Sequence, residues 1–162
     1  MRNAVVCAVV LWMAGIHASG GTQSVDAGQR AEAEIKQTLT AFLTSFENLN
    51  WPKFKAFFAP DVTMFHPAPP NGRRVDSPQE FEKAWLGVFE RIRKNSGRDS
   101  APFMSLQPQD LKIQIISPEV ALVSFHLTDA NVLNRRTIVF RHDADGWKIV
   151  HIHASNLTIA SP

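Results

Sequence analysis

The last third of this chain leaves little freedom in how it can fold. From residue 110 onward, four apolar segments follow one another with only short breaks: "DLKIQII", "VALVSFHLT", "RRTIVFRH" and "GWKIVHIHASNL". In the first, Leu111, Ile113 and Ile115 alternate with Lys112 and Gln114, the period of a half-buried strand. "SPE" is a tight break after the first segment, and "DADG", residues 143–146, is a hairpin link with glycine at its end. Four antiparallel strands with an apolar face need a second layer to cover that face.

The layer lies upstream. A helix is predicted from Asp26, with Gln29 as capping partner, after a flexible leader "SGGTQSV". Ile35, Leu39, Phe42, Phe46 and Leu49 form one apolar stripe on it. "NWPKFKAFFAP" gives a second, short helix, with Asn50 as cap, Pro52 in the first turn and Pro60 as stop. "DVTMF" reads as a strand and "HPAPPNGRR" as a loop. Ser77-Pro78-Gln79-Glu80 opens a third helix with Phe81, Trp85, Val88 and Ile92 on its buried stripe, and "NSG" at 95–97 ends it. Helices segregated from an antiparallel sheet define an α+β fold. Val123, Phe125 and Leu127, with Val150 and Ile152, suggest a second apolar sheet face. A homodimer through the sheet would cover it, as would the first helix or the tail.

A chain of 162 residues suits one domain with a real core, and a formal net charge of +2 gives no support to a nucleic-acid partner. Residues 1–20 stand apart: Met1-Arg2, then "NAVVCAVVLWMAGIHASG", the form of a secretory signal peptide cleaved after Ala18 or Gly20. The apolar run is too short for a comfortable permanent anchor, so the mature protein is expected to be secreted or periplasmic, without a stable membrane anchor. The one cysteine, Cys7, lies in that segment, which leaves the mature chain without a thiol for disulfide, metal or nucleophile.

The terminal "GWKIVHIHASN" carries two imidazoles two residues apart. Strict alternation puts Trp147, Ile149, His151, His153 and Ser155 on one face and Lys148, Val150, Ile152 and Ala154 on the other. If "DADG" pairs His142 with Trp147, then His142, Phe140, Ile138 and Arg136 join the Trp147 face. Ser124, His126 and Thr128 share one face of their own strand, and spacing leaves open which face that is. His-x-His can offer two ligands to zinc, but neither His66 nor His126 stands at a readable spacing for a third. No carboxylate shares the face either, so no metal or cofactor is assigned. The reading is a pocket for a small, partly apolar molecule. His126, His151 and His153 are its polar contacts, Trp147 and Phe140 its walls, Trp85 a contact from the third helix, and His66 a gate at the mouth. Two rivals stay open: an acid–base enzyme using one of the histidines, with no catalytic residue assigned, and an oligomeric assembly module.

"GWKIVHIHASN" resembles the terminal strand of nuclear transport factor 2-like proteins, specifically the SnoaL-like group. It also resembles the end of the association domain of calcium/calmodulin-dependent protein kinase II. "FKAFFAPDVTMFHP" and "SPQEFEKAW" are similar to the family's helix–strand segment and third-helix start. The resemblance covers roughly Asp26 to Thr158 and implies a cone: a strongly curved sheet wrapped around the helices, enclosing a pocket, with dimers through the outer face common. It implies that His151, His153 and Ser155 occupy the terminal-strand motif, and that His126 replaces a pocket arginine of the kinase domain, with Arg136 as candidate substitute. The superfamily's ketosteroid isomerases and polyketide cyclases use an aspartate base, whereas Asp61 and Asp129 here fall at strand ends. Aspartate-driven chemistry is therefore not expected.

Overall fold

The computed structural model describes residues 20–67, 72–129 and 131–159, with side chains of the first helix from residue 26. Apart from Gly20, the expected leader, with Cys7 and Ala18, lies outside these residues. The elements run α1 (Gly20–Glu47), α2 (Trp51–Lys55), β1 (Phe58–Phe65), β2 (Arg74–Val75), α3 (Pro78–Asn95), β3 (Gln109–Ser117), β4 (Val120–Asp129), β5 (Val132–Asp143) and β6 (Gly146–Thr158). This is the α+β arrangement that the segment order predicts. No described helix is long and apolar enough to cross a membrane.

The capping signals act where they are predicted. The Asn50 side chain accepts from Lys53 N at 3.1 Å, and Ser77 Oγ accepts from Glu80 N at 3.2 Å. The first helix differs. It begins at Gly20, so "GGTQSV" is helical and Asp26 is no cap. A short polar residue with a partner one turn on suits a helix interior as well as a start, and Asp26 stands 3.9 Å from Arg30.

The six strands form one curved, open sheet in the order β2-β1-β6-β5-β4-β3. Every contact is antiparallel except β1 with β6, which run parallel. That pairing needs a long crossover, supplied by α3 and the antiparallel strands. Arg74, expected in a loop, pairs with Phe65 as part of β2. The helices lie on the concave side. Their meeting point is Phe54, fully buried, with the rings of Trp85, Phe42, Phe58 and Phe89 at centroid distances of 4.7 to 5.1 Å.

The histidine strand breaks its own alternation. Phe140 pairs with Ile149, but the next residue of β5, Val139, pairs with His151. Val150 is thus an extra residue, a β-bulge, and it reverses which side chains face the core. Trp147 and Ile149 are buried before it, Ile152 and Ala154 after it. The expected shared face of Trp147, His151 and His153 is therefore corrected: the two histidines point to the outer surface. The expected second apolar face is corrected too, because Val123, Phe125 and Ile152 all belong to the buried core against the helices. Deleting Val150 should force His151 and His153 toward the core and Ile152 and Ala154 outward. A loss of at least about 3 kcal/mol is expected in urea denaturation; a loss below about 1 kcal/mol would show that Val150 does not set the phase.

Candidate functional site

Curvature of the sheet leaves a cavity of about 800 Å³ between its concave face and the helices α1 and α3. The apolar stripes of those helices do double duty. Phe42 and Phe46 of α1, and Val88 and Ile92 of α3, close one wall. Phe125, Ile138 and Ile152 of the sheet form the other. The segment 104–107 closes an edge, held to the end of α1 because Leu106 N donates to Glu47 Oε1 at 2.6 Å and Phe103 N to Glu47 O at 2.8 Å.

Inward alternation along β5 carries Phe140, Ile138, Arg136 and Asn134 from the core out to the cavity. Arg136 is half-buried in the cavity wall. Its Nη1 donates to the carbonyl of Arg135 at 2.8 Å, and at 3.4 Å to the carbonyl of Ser155 and to Asn156 Oδ1. Nε and Nη2 have no partner among the described residues, and none of the ion pairs there includes Arg136. Burial away from water lowers its pKa to about 10. His66, Arg91 and Asp129 are the other ionisable groups on the cavity wall.

The sequence-derived site residues separate into three places. His66, Trp85 and Arg136 line this cavity together. Phe140 is fully buried in the core, and Trp147 sits at the far end of the sheet, where its Nε1 donates to Glu34 at 3.2 Å beside the His142 ring and it lines a smaller groove. His126, His151, His153 and Ser155 lie on the outer face. His126 follows from its pairing beside the inward Phe125, and the others from the bulge. Ser155 reaches the site only through its backbone carbonyl. Asp129, set aside in the sequence as a strand end, lines the cavity because the inward phase of β4 continues to its last residue. Asn134 follows from extending the Arg136 alternation, whereas Asn156 was hidden by the bulge. Residues 104–107 carry no periodic signal at all.

On the outer face, Thr63 Oγ1 and His151 Nδ1 share a hydrogen bond at 2.7 Å, and the Phe65 ring lies 5.9 Å from His151 and 5.5 Å from His153. Among the described residues, no group of three His, Cys, Asp or Glu side chains is placed to hold a metal ion.

A curved open sheet around three helices with a pocket at its wide end is the architecture of the nuclear transport factor 2-like proteins. The chain belongs to the SnoaL-like domain family, whose model matches residues 35–160. No sequence among curated proteins matches it. Solved structures agree on the fold. A nuclear transport factor 2-like protein of unknown function from Pseudomonas putida KT2440 superposes with a TM-score of 0.64 at 17% identity, over 83% of this chain and 98% of that one. A candidate dehydratase of the same family from Streptomyces avermitilis gives 0.63 at 17%, over 80% and 97%. The association domain of calcium/calmodulin-dependent protein kinase II from C. elegans gives 0.57 at 17%, over 82% and 98%. At such identities the likeness is one of fold alone.

The pKa of His151 is lowered by burial first, then by the neighbouring His153 and Arg74 charges. A histidine whose folded pKa is depressed binds its proton more readily in the unfolded chain. Its contribution to stability is therefore present above the ordinary histidine value, about 6.5, and lost as the pH falls from there through the folded value. The melting temperature should drop between pH 8 and pH 5, and His151→Gln should make that drop smaller. An identical drop in both proteins, followed by circular dichroism, would sink this assignment.

Proposed function

We propose that the cavity binds a small, partly apolar molecule whose anionic group pairs with Arg136. The observation that carries this reading is the guanidinium itself. It is half-buried in the cavity wall, its hydrogen-bond acceptors are all neutral oxygens, and an anion would pair with it better than they do. Two of its nitrogens, Nε and Nη2, remain for a ligand, and a fork of that kind matches a carboxylate in bidentate fashion. Phe42, Phe46, Met64 and Ile138 supply the apolar walls, and the volume falls within the roughly 300–1,000 Å³ usual for small-molecule pockets.

Binding is favoured over histidine-based catalysis because His126, His151 and His153 lie on the outer face, away from the cavity, which leaves His66 as the one histidine on its wall among the described residues. Similarity to a candidate dehydratase transfers no reaction, since one fold hosts many activities.

Isothermal titration calorimetry with dodecanoate and dodecanol tests the reading. The protein should prefer the acid. Arg136→Met should weaken dodecanoate on the order of thirtyfold or more, the usual consequence of truncating one member of a buried charge pair, and should remove the preference. Equal affinities of both proteins for dodecanoate would overturn it.

The proposal includes two further parts. The mature chain begins near residues 19–21, outside the cytoplasm, on the strength of the leader pattern in residues 1–20. It forms a homodimer through the outer sheet face, which no described helix covers and where Phe65 and Leu157 are 39% and 46% exposed. Native mass spectrometry on protein purified from its own host reads both at once. A dimer of shortened chains is expected; full-length chains would refute the first part, and monomers the second.

A further inference from the structure

The strand register gathers three histidines on the outer face of the sheet, and the cavity uses none of them. Residues paired across neighbouring strands share a face, so the pairing maps that surface. One row runs Arg74, Phe65, His153, Thr137, Ser124 and Lys112 across all six strands. The next row holds Thr63, His151, Val139, Leu122 and Gln114. On the other side, Ser155, Arg135 and His126 stand in line. His151 and His153 on β6 and His126 on β4 thus flank β5, in the interior of the face.

An interface through this face cannot leave them out. Strands β3 to β6 are 9 to 13 residues long. Six strands of such length give a surface of roughly 25 by 35 Å. That is about the 800 Å² that each partner contributes to a stable dimer, so a second copy needs nearly all of it. In a two-fold dimer the patch meets itself. A histidine-bearing surface then opposes an identical one, and Lys112 and Arg135 beside the imidazoles carry the same sign as a protonated ring. The carboxylates lie at the margins or are taken. Arg141 binds Asp61 and Asp143, and Arg74 binds Asp76. Asp110 sits at a bulge of the edge strand β3, Glu119 in the β3–β4 turn, and Asp129 on the cavity wall at the end of β4. Burial, His153 and Arg74 already hold His151 below its ordinary pKa in the single chain.

We infer that the outer face is an acid-sensitive contact between two copies of this chain, closed while His126, His151 and His153 are neutral and opened when they gain protons. This rests on the homodimer reading above and gives that contact a regulation. Two separate chains bind these protons more readily than the dimer does. Association is therefore at full strength above the ordinary histidine value, about 6.5, and is lost as the pH falls below it.

Sedimentation equilibrium at pH 8 and pH 5, with circular dichroism on the same samples, tests this. The dimer dissociation constant should rise on the order of hundredfold from pH 8 to pH 5, the scale of like charges brought together in an interface. Independently of any variant, sodium chloride at about 1 M should reverse most of that rise, because it shortens the Debye length to about 3 Å. In the triple variant His126→Gln, His151→Gln, His153→Gln the constant should change less than about threefold over the same range, since no other side chain ordinarily titrates there. A constant that is the same at pH 8 and pH 5 would overturn this inference and leave the homodimer standing. So would a rise that salt leaves unchanged, one that the triple variant keeps, or one that comes with loss of the folded dichroism signal. Monomers at pH 8 would overturn both.

Discussion

A single extra residue in the last strand governs how this molecule is built. At Val150 the ladder between β5 and β6 slips by one, so the strand that enters the sheet with Trp147 and Ile149 inward leaves it with Ile152 and Ala154 inward. Bulges of this kind bend a strand and sharpen its twist. The register of β1 against β6 shifts at the same level, between Phe58 and Thr63, so two neighbouring strands bend together. Below that level the sheet closes on the aromatic cluster around Phe54. Above it, the sheet stands away from the helices and the cavity begins. Core and cavity are two ends of one curved surface.

The same bend decides what chemistry the cavity wall contains. Ala154 pairs with Arg136 and Asn156 with Asn134, so small and polar residues of β6 flank the guanidinium on the concave side. The small Ala154 side chain leaves room for the fork, and the nearby carbonyl of Ser155 and amide oxygen of Asn156 hold one end of it. The wall that results combines aromatic and aliphatic surface with the half-buried guanidinium of Arg136.

Electrostatics on the convex side works differently. Arg141 bridges Asp61 at 2.9 Å and Asp143 at 2.7 Å, which holds both carboxylates below their ordinary pKa and links β1 to the β5–β6 hairpin. These groups are solvated, so their worth is small. The histidines nearby join a partly wet surface, where His151 is held toward its neutral form beside Thr63 and Phe65.

The sequence by itself determined the three helices and five of the six strands, though neither β2 nor the start of α1 at Gly20, along with the caps at Asn50 and Ser77, the α+β class, the pairing of His142 with Trp147, and the inward phase of β5 that carries Arg136 into the cavity. All of these follow from interactions local along the chain or from unbroken alternation over a short stretch. Only the tertiary structure decided the faces of His126, His151, His153 and Ser155, the parallel partner of β1, and the cavity positions of Asp129, Asn156 and residues 104–107. The reason is that a bulge has no signature in composition: Val150 is an ordinary apolar residue in an apolar run. It becomes the extra one because two strands distant in sequence fix their register against it on either side. Period-two reasoning carries a face only as far as the first slip, and here the slip falls one residue before the histidines.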